Sequence, residues 1–179
     1  MTSSPSIPAT TTIVVMGVSG SGKTSAAQEI TRQLGWAYIE GDDLHPEANV
    51  AKMASGIPLD DEDRWPWLRR VAEVIGEHET AGTSLVITCS ALKRVYRDLL
   101  RDGHPSVWFA HVHVDRDVLA QRLAARQGHF MPPSLLDSQL ATLEPLGDDE
   151  PGAVIDGDGP LSETVTELLT DLKKERQLG

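Results

Sequence analysis

Gly17-Val18-Ser19-Gly20-Ser21-Gly22-Lys23-Thr24 matches G-x-x-x-x-G-K-[ST] at every constrained position, and this spacing suits one kind of chemistry. Backbone N–H groups of a glycine-rich turn and the positive end of the next helix converge on a phosphate chain. Lys23 is then expected at the β/γ-phosphates. Thr24 is expected to offer its hydroxyl to Mg²⁺, an ion that keeps most of its coordination for water and phosphate oxygens. Ser25 carries the nucleotide-binding stretch into the helix. A plain glycine turn is the competing reading. The apolar run Ile13–Met16 before the loop and the helical pattern Thr24–Leu34 after it favour binding of ATP or GTP with Mg²⁺.

Phosphate binding alone leaves many reactions open, and the rest of the chain narrows them. A GTPase needs Asn-Lys-x-Asp to read guanine, yet the single asparagine, Asn49, is followed by Val50. A motor or transporter ATPase needs an apolar strand ending in an aspartate, whereas Leu85–Thr88 runs into Cys89-Ser90-Ala91. The carboxylates come instead after Trp36–Ile39, as Glu40, Asp42 and Asp43. In open α/β sheets that strand end is where ligands bind. The layout resembles small-molecule kinases of the shikimate and adenylate kinase type.

The elements that must position these residues alternate. Strands are expected at 13–16, 36–39, 85–88, 107–114 and 153–155, with helices at 24–34, 46–54, 65–78, 92–101, following Asp115, from Pro133 to Leu143, and at 161–175. Strand-helix alternation implies a three-layer α/β fold of the P-loop kinase kind, a five-stranded parallel sheet flanked by helices. One such domain is expected over residues 12–179, with a mobile lid near 120–135, after a disordered Ser/Thr/Pro-rich lead-in at residues 1–11.

At 179 residues the chain is long enough for one well-buried core. The formal charge of −11 argues against a nucleic-acid partner. No apolar run spans a bilayer and no basic leader precedes residue 12, so neither a membrane anchor nor a targeting peptide is expected. The single cysteine, Cys89, excludes an internal disulfide and points to a reducing cytoplasm; it reads as a small buried hydrophobe.

Several longer strings are more specific than any single residue. Glu40-Gly41-Asp42-Asp43-Leu44-His45-Pro46, Asn49 with Lys52-Met53 and Gly56-Ile57-Pro58-Leu59, and Asp61 with Asp63-Arg64 and Pro66-Trp67-Leu68 resemble the gluconokinase family. So do Cys89-Ser90-Ala91-Leu92-Lys93-Arg94 with Tyr96-Arg97-Asp98, Arg126 with Gly128-His129-Phe130-Met131, and Leu135-Leu136 with Ser138-Gln139 and Leu143-Glu144. With the P-loop they cover about residues 13–156 in order. Leu140 stands where an aromatic is expected, and Thr24-Ser25 replaces the commoner Ser-Thr.

The resemblance implies ATP-dependent phosphorylation of D-gluconate at its 6-hydroxyl, with Mg²⁺, giving 6-phospho-D-gluconate. Asp42 is expected to orient and deprotonate that hydroxyl, with Glu40 and Asp43 competing for the role. Glu40 or Asp42 is also expected to reach Mg²⁺ through water, and a helix-capping role for Asp42 and Asp43 stays open. Lys23, Asp42, Arg122 and Arg126 form the expected catalytic set, the two arginines closing with the lid on the transferred phosphate. Asp42, His45, Lys52, Arg64, Lys93, Arg97, His129 and Gln139 are expected around the sugar acid, because a carboxylate suits arginine's planar fork and hydroxyls suit short polar groups. Taken singly, Lys52 and Arg97 read more readily as surface residues, and it is their place in these strings that reverses this. Asp156-Gly157-Asp158 is expected either to border adenine or to form a simple turn. A homodimer follows from the family likeness alone. Another small sugar acid or polyol as acceptor, and a nucleotide-sensing module without turnover, are the rival functions.

Overall fold

In the computed structural model, which describes residues 10–125 and 133–176, five strands form one parallel sheet. They are β1 (Thr12–Met16), β2 (Ala37–Ile39), β3 (Leu85–Thr88), β4 (Val107–His113) and β5 (Gly152–Asp156), in the order β2-β3-β1-β4-β5. β1 is the central strand, and every one of its residues is buried. Its alternate side chains feed two cores: Ile13 and Val15 pack with Ala26, Ile30, Trp108 and Leu168, whereas Val14 and Met16 pack with Trp67, Leu68, Phe109 and Leu119. A strand covered on both faces reads as a continuous apolar run, as this one does.

Helices α1 (Lys23–Leu34) and α7 (Leu161–Arg176) cover the first face. The second carries α3 (Asp61–Ala81), α4 (Arg94–Arg101), α5 (Arg116–Ala125) and α6 (Pro133–Thr142), while α2 (Glu47–Ala54) follows a short 3₁₀ turn at Gly41–Leu44. β1 pairs with β3 on one side and β4 on the other. The chain leaves β1 toward β2 and later returns to β1's other side, so the crevice at the strands' carboxyl ends opens beside β1.

Two differences from the sequence reading have local causes. α3 begins at Asp61, four residues before the expected Trp65, since Asp60 and Asp63 form a reciprocal capping box that satisfies the first-turn N–H groups. Thr10 and Thr11, placed in the lead-in by sequence, are buried: Thr11 N donates to Ser84 Oγ, and Leu85 N donates to Thr11 O. Of the lid expected near 120–135, residues 126–132, with Arg126 and His129, lie outside the described residues, while 120–125 end α5 and 133–135 begin α6.

Candidate active site

The glycine-rich loop joins β1 to α1. Its path needs positive φ at Gly17, Gly20 and Gly22 (147°, 82° and 94°), and Gly22 serves as the N-cap of α1. Lys23 starts the helix and folds back over the loop, donating from Nζ to Gly17 O (2.9 Å) and Val18 O (3.2 Å). The Ser21 hydroxyl is buried with no hydrogen-bond partner. Thr24, one residue into the helix, donates from Oγ1 to Glu40 Oε2 at 3.0 Å.

Glu40 sits at the end of β2 and is held from three sides. Besides Thr24, Thr88 donates from Oγ1 to Oε1 at 2.7 Å, and the Tyr38 hydroxyl donates to Oε2. Burial, followed by this carboxylate, pushes the Tyr38 hydroxyl well above its ordinary value. Thr88 Oγ1 also accepts from Gly41 N at 3.0 Å, so one hydroxyl ties β3 to both the carboxylate and the turn that carries Asp42. Thr88→Val keeps the shape and removes that hydroxyl, leaving a buried N–H unpaired. It is expected to cost about 1–3 kcal/mol in denaturant unfolding and to raise the KM for Mg·ATP more than that for the acceptor.

Asp42 follows on the 3₁₀ turn with its side chain 64% exposed. It lines a cleft of about 90 Å³ together with Ser19, Gly20, Gly22, Lys23, Thr24, Ser25 and Glu40. The structure thus brings the loop's cation, its hydroxyl and two strand-end carboxylates around one space. A larger cavity of about 410 Å³ lies on the other side of the loop, lined by Gly20, Ser21, Ser25, Arg122, Ile155, Gly157 and Thr164 among others. Arg122 donates to Gly20 O and Ser21 O (both 3.3 Å) and to Gly157 O (2.8 Å). Its charge therefore lies against the phosphate loop, between the loop and the turn after β5; the sequence reading expects it on the transferred phosphate.

Beyond Asp42 the side chains expected around an acceptor fall into two groups. His45 stacks on Trp67 (3.9 Å between centroids, 17° between planes), and Trp67 Nε1 donates to Gly41 O at 2.9 Å. Arg64 is buried and donates to the Tyr96 hydroxyl (2.8 Å), which in turn donates to Asp61. Lys93 closes this cluster on Asp61 at 3.0 Å. The Tyr96 hydroxyl and then Lys93 hold the Asp61 carboxyl below the usual carboxylate range. Lys52 is tied to Asp63 at 2.7 Å.

Arg97 is the clearest correction. It has no exposed side-chain surface, and its guanidinium meets Glu150 through Nε (2.6 Å) and Nη2 (3.3 Å), Ala91 O and Leu92 O through Nη1, and Pro145 O through Nη2. All five N–H groups are used, so none is left for a sugar acid. Gln139 is also placed differently from expectation. Its Oε1 accepts from Ser19 N at 2.7 Å, tying α6 to the phosphate loop. Arg94 binds Asp149 away from the cleft, and burial pushes the Cys89 thiol up to about 12, as suits an inert packing group.

Sequence reasoning gives no site role to Tyr38 or Thr88, and names Asn49, Asp61 and Tyr96 only within the longer strings. Thr88 carries a usable signal, being a polar residue at the carboxyl end of an apolar strand.

A family model described as an AAA domain matches residues 13–146. A gluconokinase of Gluconobacter oxydans is 49% identical over 163 residues, covering 91% of this chain and 92% of that protein. Among solved structures, an unliganded sugar kinase from Janibacter superposes with a TM-score of 0.87 at 52% identity, covering 92% of this chain and 95% of the other. A gluconokinase from Sinorhizobium meliloti superposes at 0.82 with 46% identity, covering 96% and 95%.

Proposed function

The chain belongs to the gluconokinase family, and from that premise we propose that it transfers the γ-phosphoryl group of ATP to the 6-hydroxyl of D-gluconate. The products are ADP and 6-phospho-D-gluconate, an entry point to the pentose phosphate route. One observation carries the reading at the level of residues: Lys23, Thr24, Glu40 and Asp42 line a single cleft on the phosphate loop. Phosphoryl transfer asks for positioning and charge neutralisation there and little covalent chemistry.

The residues present fit Mg·ATP. Positive-φ glycines leave loop N–H groups free of Cβ crowding, and the buried, unpaired Ser21 hydroxyl stands ready for a polar partner. Thr24 would hold Mg²⁺ directly and Glu40 through water, since three hydroxyls already fix that carboxylate beside Thr24. When bound, Mg·ATP supplies the phosphoryl group and a divalent charge against its oxygens. Lys23 would neutralise the β/γ-phosphates, and Arg122, held on the loop by Gly20 O and Ser21 O, would add its charge at the transferred phosphate. Asp42, exposed and unconstrained by the Glu40 network, takes the hydroxyl's proton. His45, Arg64 and Lys93, with Lys52, flank the acceptor, and Arg126 and His129 belong to the closing lid. The charge of −11 argues against a nucleic-acid partner. Among the described residues no helix is long and apolar enough to cross a membrane, and a reducing cytoplasm is the proposed setting. A homodimer is proposed on family likeness alone.

The test is ADP release with Mg·ATP and gluconate, run beside other aldonates and polyols. Gluconate-dependent turnover above the panel is the expected result. Turnover with a different acid or polyol, or none with any, overturns the assignment.

A further inference from the structure

We propose that Asn49 is a positioning residue which locks His45 in its Nε2–H tautomer, so that His45 and Asp42 grip one hydroxyl of the acceptor between a donor and an acceptor. The inference rests on the acceptor reading above and assigns a part that reading leaves open.

Asn49 lies on α2 and is buried, 3% exposed, where an unpaired amide would be costly. Its Nδ2 donates to Asp63 O at 2.9 Å, and a backbone carbonyl only accepts, so the amide's orientation is fixed by chemistry. The same nitrogen lies 3.2 Å from His45 Nδ1. An amide nitrogen has two hydrogens and no lone pair to offer, so Nδ1 must be the bare, accepting nitrogen. The ring's proton is then on Nε2.

Three elements hold the ring in this pose: the 3₁₀ turn that His45 caps, α2 through Asn49, and α3 through the stacked Trp67. The charged groups facing it are Asp42 from its own turn and Arg64 from α3. Burial, reinforced by Arg64 against the opposing pull of Asp42, keeps the imidazole below its ordinary value, in keeping with the neutral ring that a bare Nδ1 requires.

Nε2 faces Asp42 Oδ1 at 3.8 Å, too far for a direct hydrogen bond. A hydroxyl oxygen about 2.8–2.9 Å from both atoms spans that gap, accepting from Nε2–H and donating to the carboxylate. With the opposite tautomer both protein atoms would be acceptors, and a hydroxyl, having one hydrogen, could satisfy only one of them. Selection for a polyol chain thus depends on a residue that does not itself touch it.

Two-bond ¹H–¹⁵N correlation spectra of the wild-type protein at neutral pH read the tautomer without any variant. A bare Nδ1 and protonated Nε2 are expected for His45; Nδ1–H or a doubly protonated ring overturns the proposal. Asn49→Asp offers Nδ1 an acceptor in place of a donor, so at alkaline pH, where the ring is neutral, its proton is expected on Nδ1 in the same spectra and the gluconate KM there is expected to rise about tenfold, the order of one lost hydrogen bond. The KM for ATP should stay within about twofold. Asn49→Leu, which cannot choose either tautomer, is expected to fall between Asn49→Asp and wild type in gluconate KM. Unchanged gluconate KM in both variants also overturns it. Absence of gluconate turnover by wild type would remove the acceptor reading and leave the tautomer measurement standing, so the two failures are separable.

Discussion

Asp42→Asn is expected to lower kcat with gluconate by about 10²–10⁴-fold, the usual contribution of a positioned general base, with the KM for ATP changed less than about twofold. Asparagine keeps the size and one accepting oxygen of the side chain but cannot receive a proton. The nucleotide's contacts come from the loop at 17–25 and from Glu40, none of which the change disturbs. Asp42 is 64% exposed, so the stability of the variant should stay within about 0.5 kcal/mol of wild type. Steady-state kinetics in both substrates, with a thermal melt as the control, decide the matter. Full activity would pass the role to Asp43 or Glu40. Glu40 is the weaker candidate, because Thr24, Tyr38 and Thr88 already occupy its oxygens.

The contrast between Glu40 and Asp42 shows what the sequence disclosed. Both lie just past a strand's carboxyl end, which placed them at the ligand edge by a rule of topology. Their division of labour depends on Thr88, 48 residues from Glu40, and on which side of a short strand Tyr38 presents its hydroxyl. The phosphate loop was legible because its whole chemistry is local: eight consecutive residues supply turn, cation and hydroxyl. Gly41 was legible only as part of a string. Its reason appears in three dimensions, since a Cβ there would lie 1.7 Å from Thr88 O. The sheet was legible from strand-helix alternation, and its strand order had to come from the structure.

Arg97→Met is expected to destabilise the protein by about 3 kcal/mol, the low end of the cost of breaking a buried ion pair, because Arg94 Nε stays 3.6 Å from Glu150 Oε1, and to lower Tm by about 6–12 °C for a domain of this size. Sequence placed Arg97 on the substrate because its string matched, and α4's own pattern is misleading: Val95 is 52% exposed while Arg97 is fully buried. The partner that explains this, Glu150, lies 53 residues on in the crossing segment before β5. The guanidinium also binds the carbonyl of Ala91, which is held at φ 46°, a left-handed conformation costly for a residue with a Cβ. Ser90, next to it, accepts from Gly17 N at the mouth of the phosphate loop (3.3 Å). Arg97 therefore supports the loop from behind without touching what the loop binds. Replacing Glu150 by Leu in the same molecule removes a buried carboxylate left with Arg94 alone but leaves the carbonyls of Ala91, Leu92 and Pro145 without their donor, so recovery of Tm should be partial. An acceptor-binding role predicts the opposite pattern: unchanged melting with a raised gluconate KM. Calorimetry and kinetics on Arg97→Met, measured well below its midpoint, separate the two.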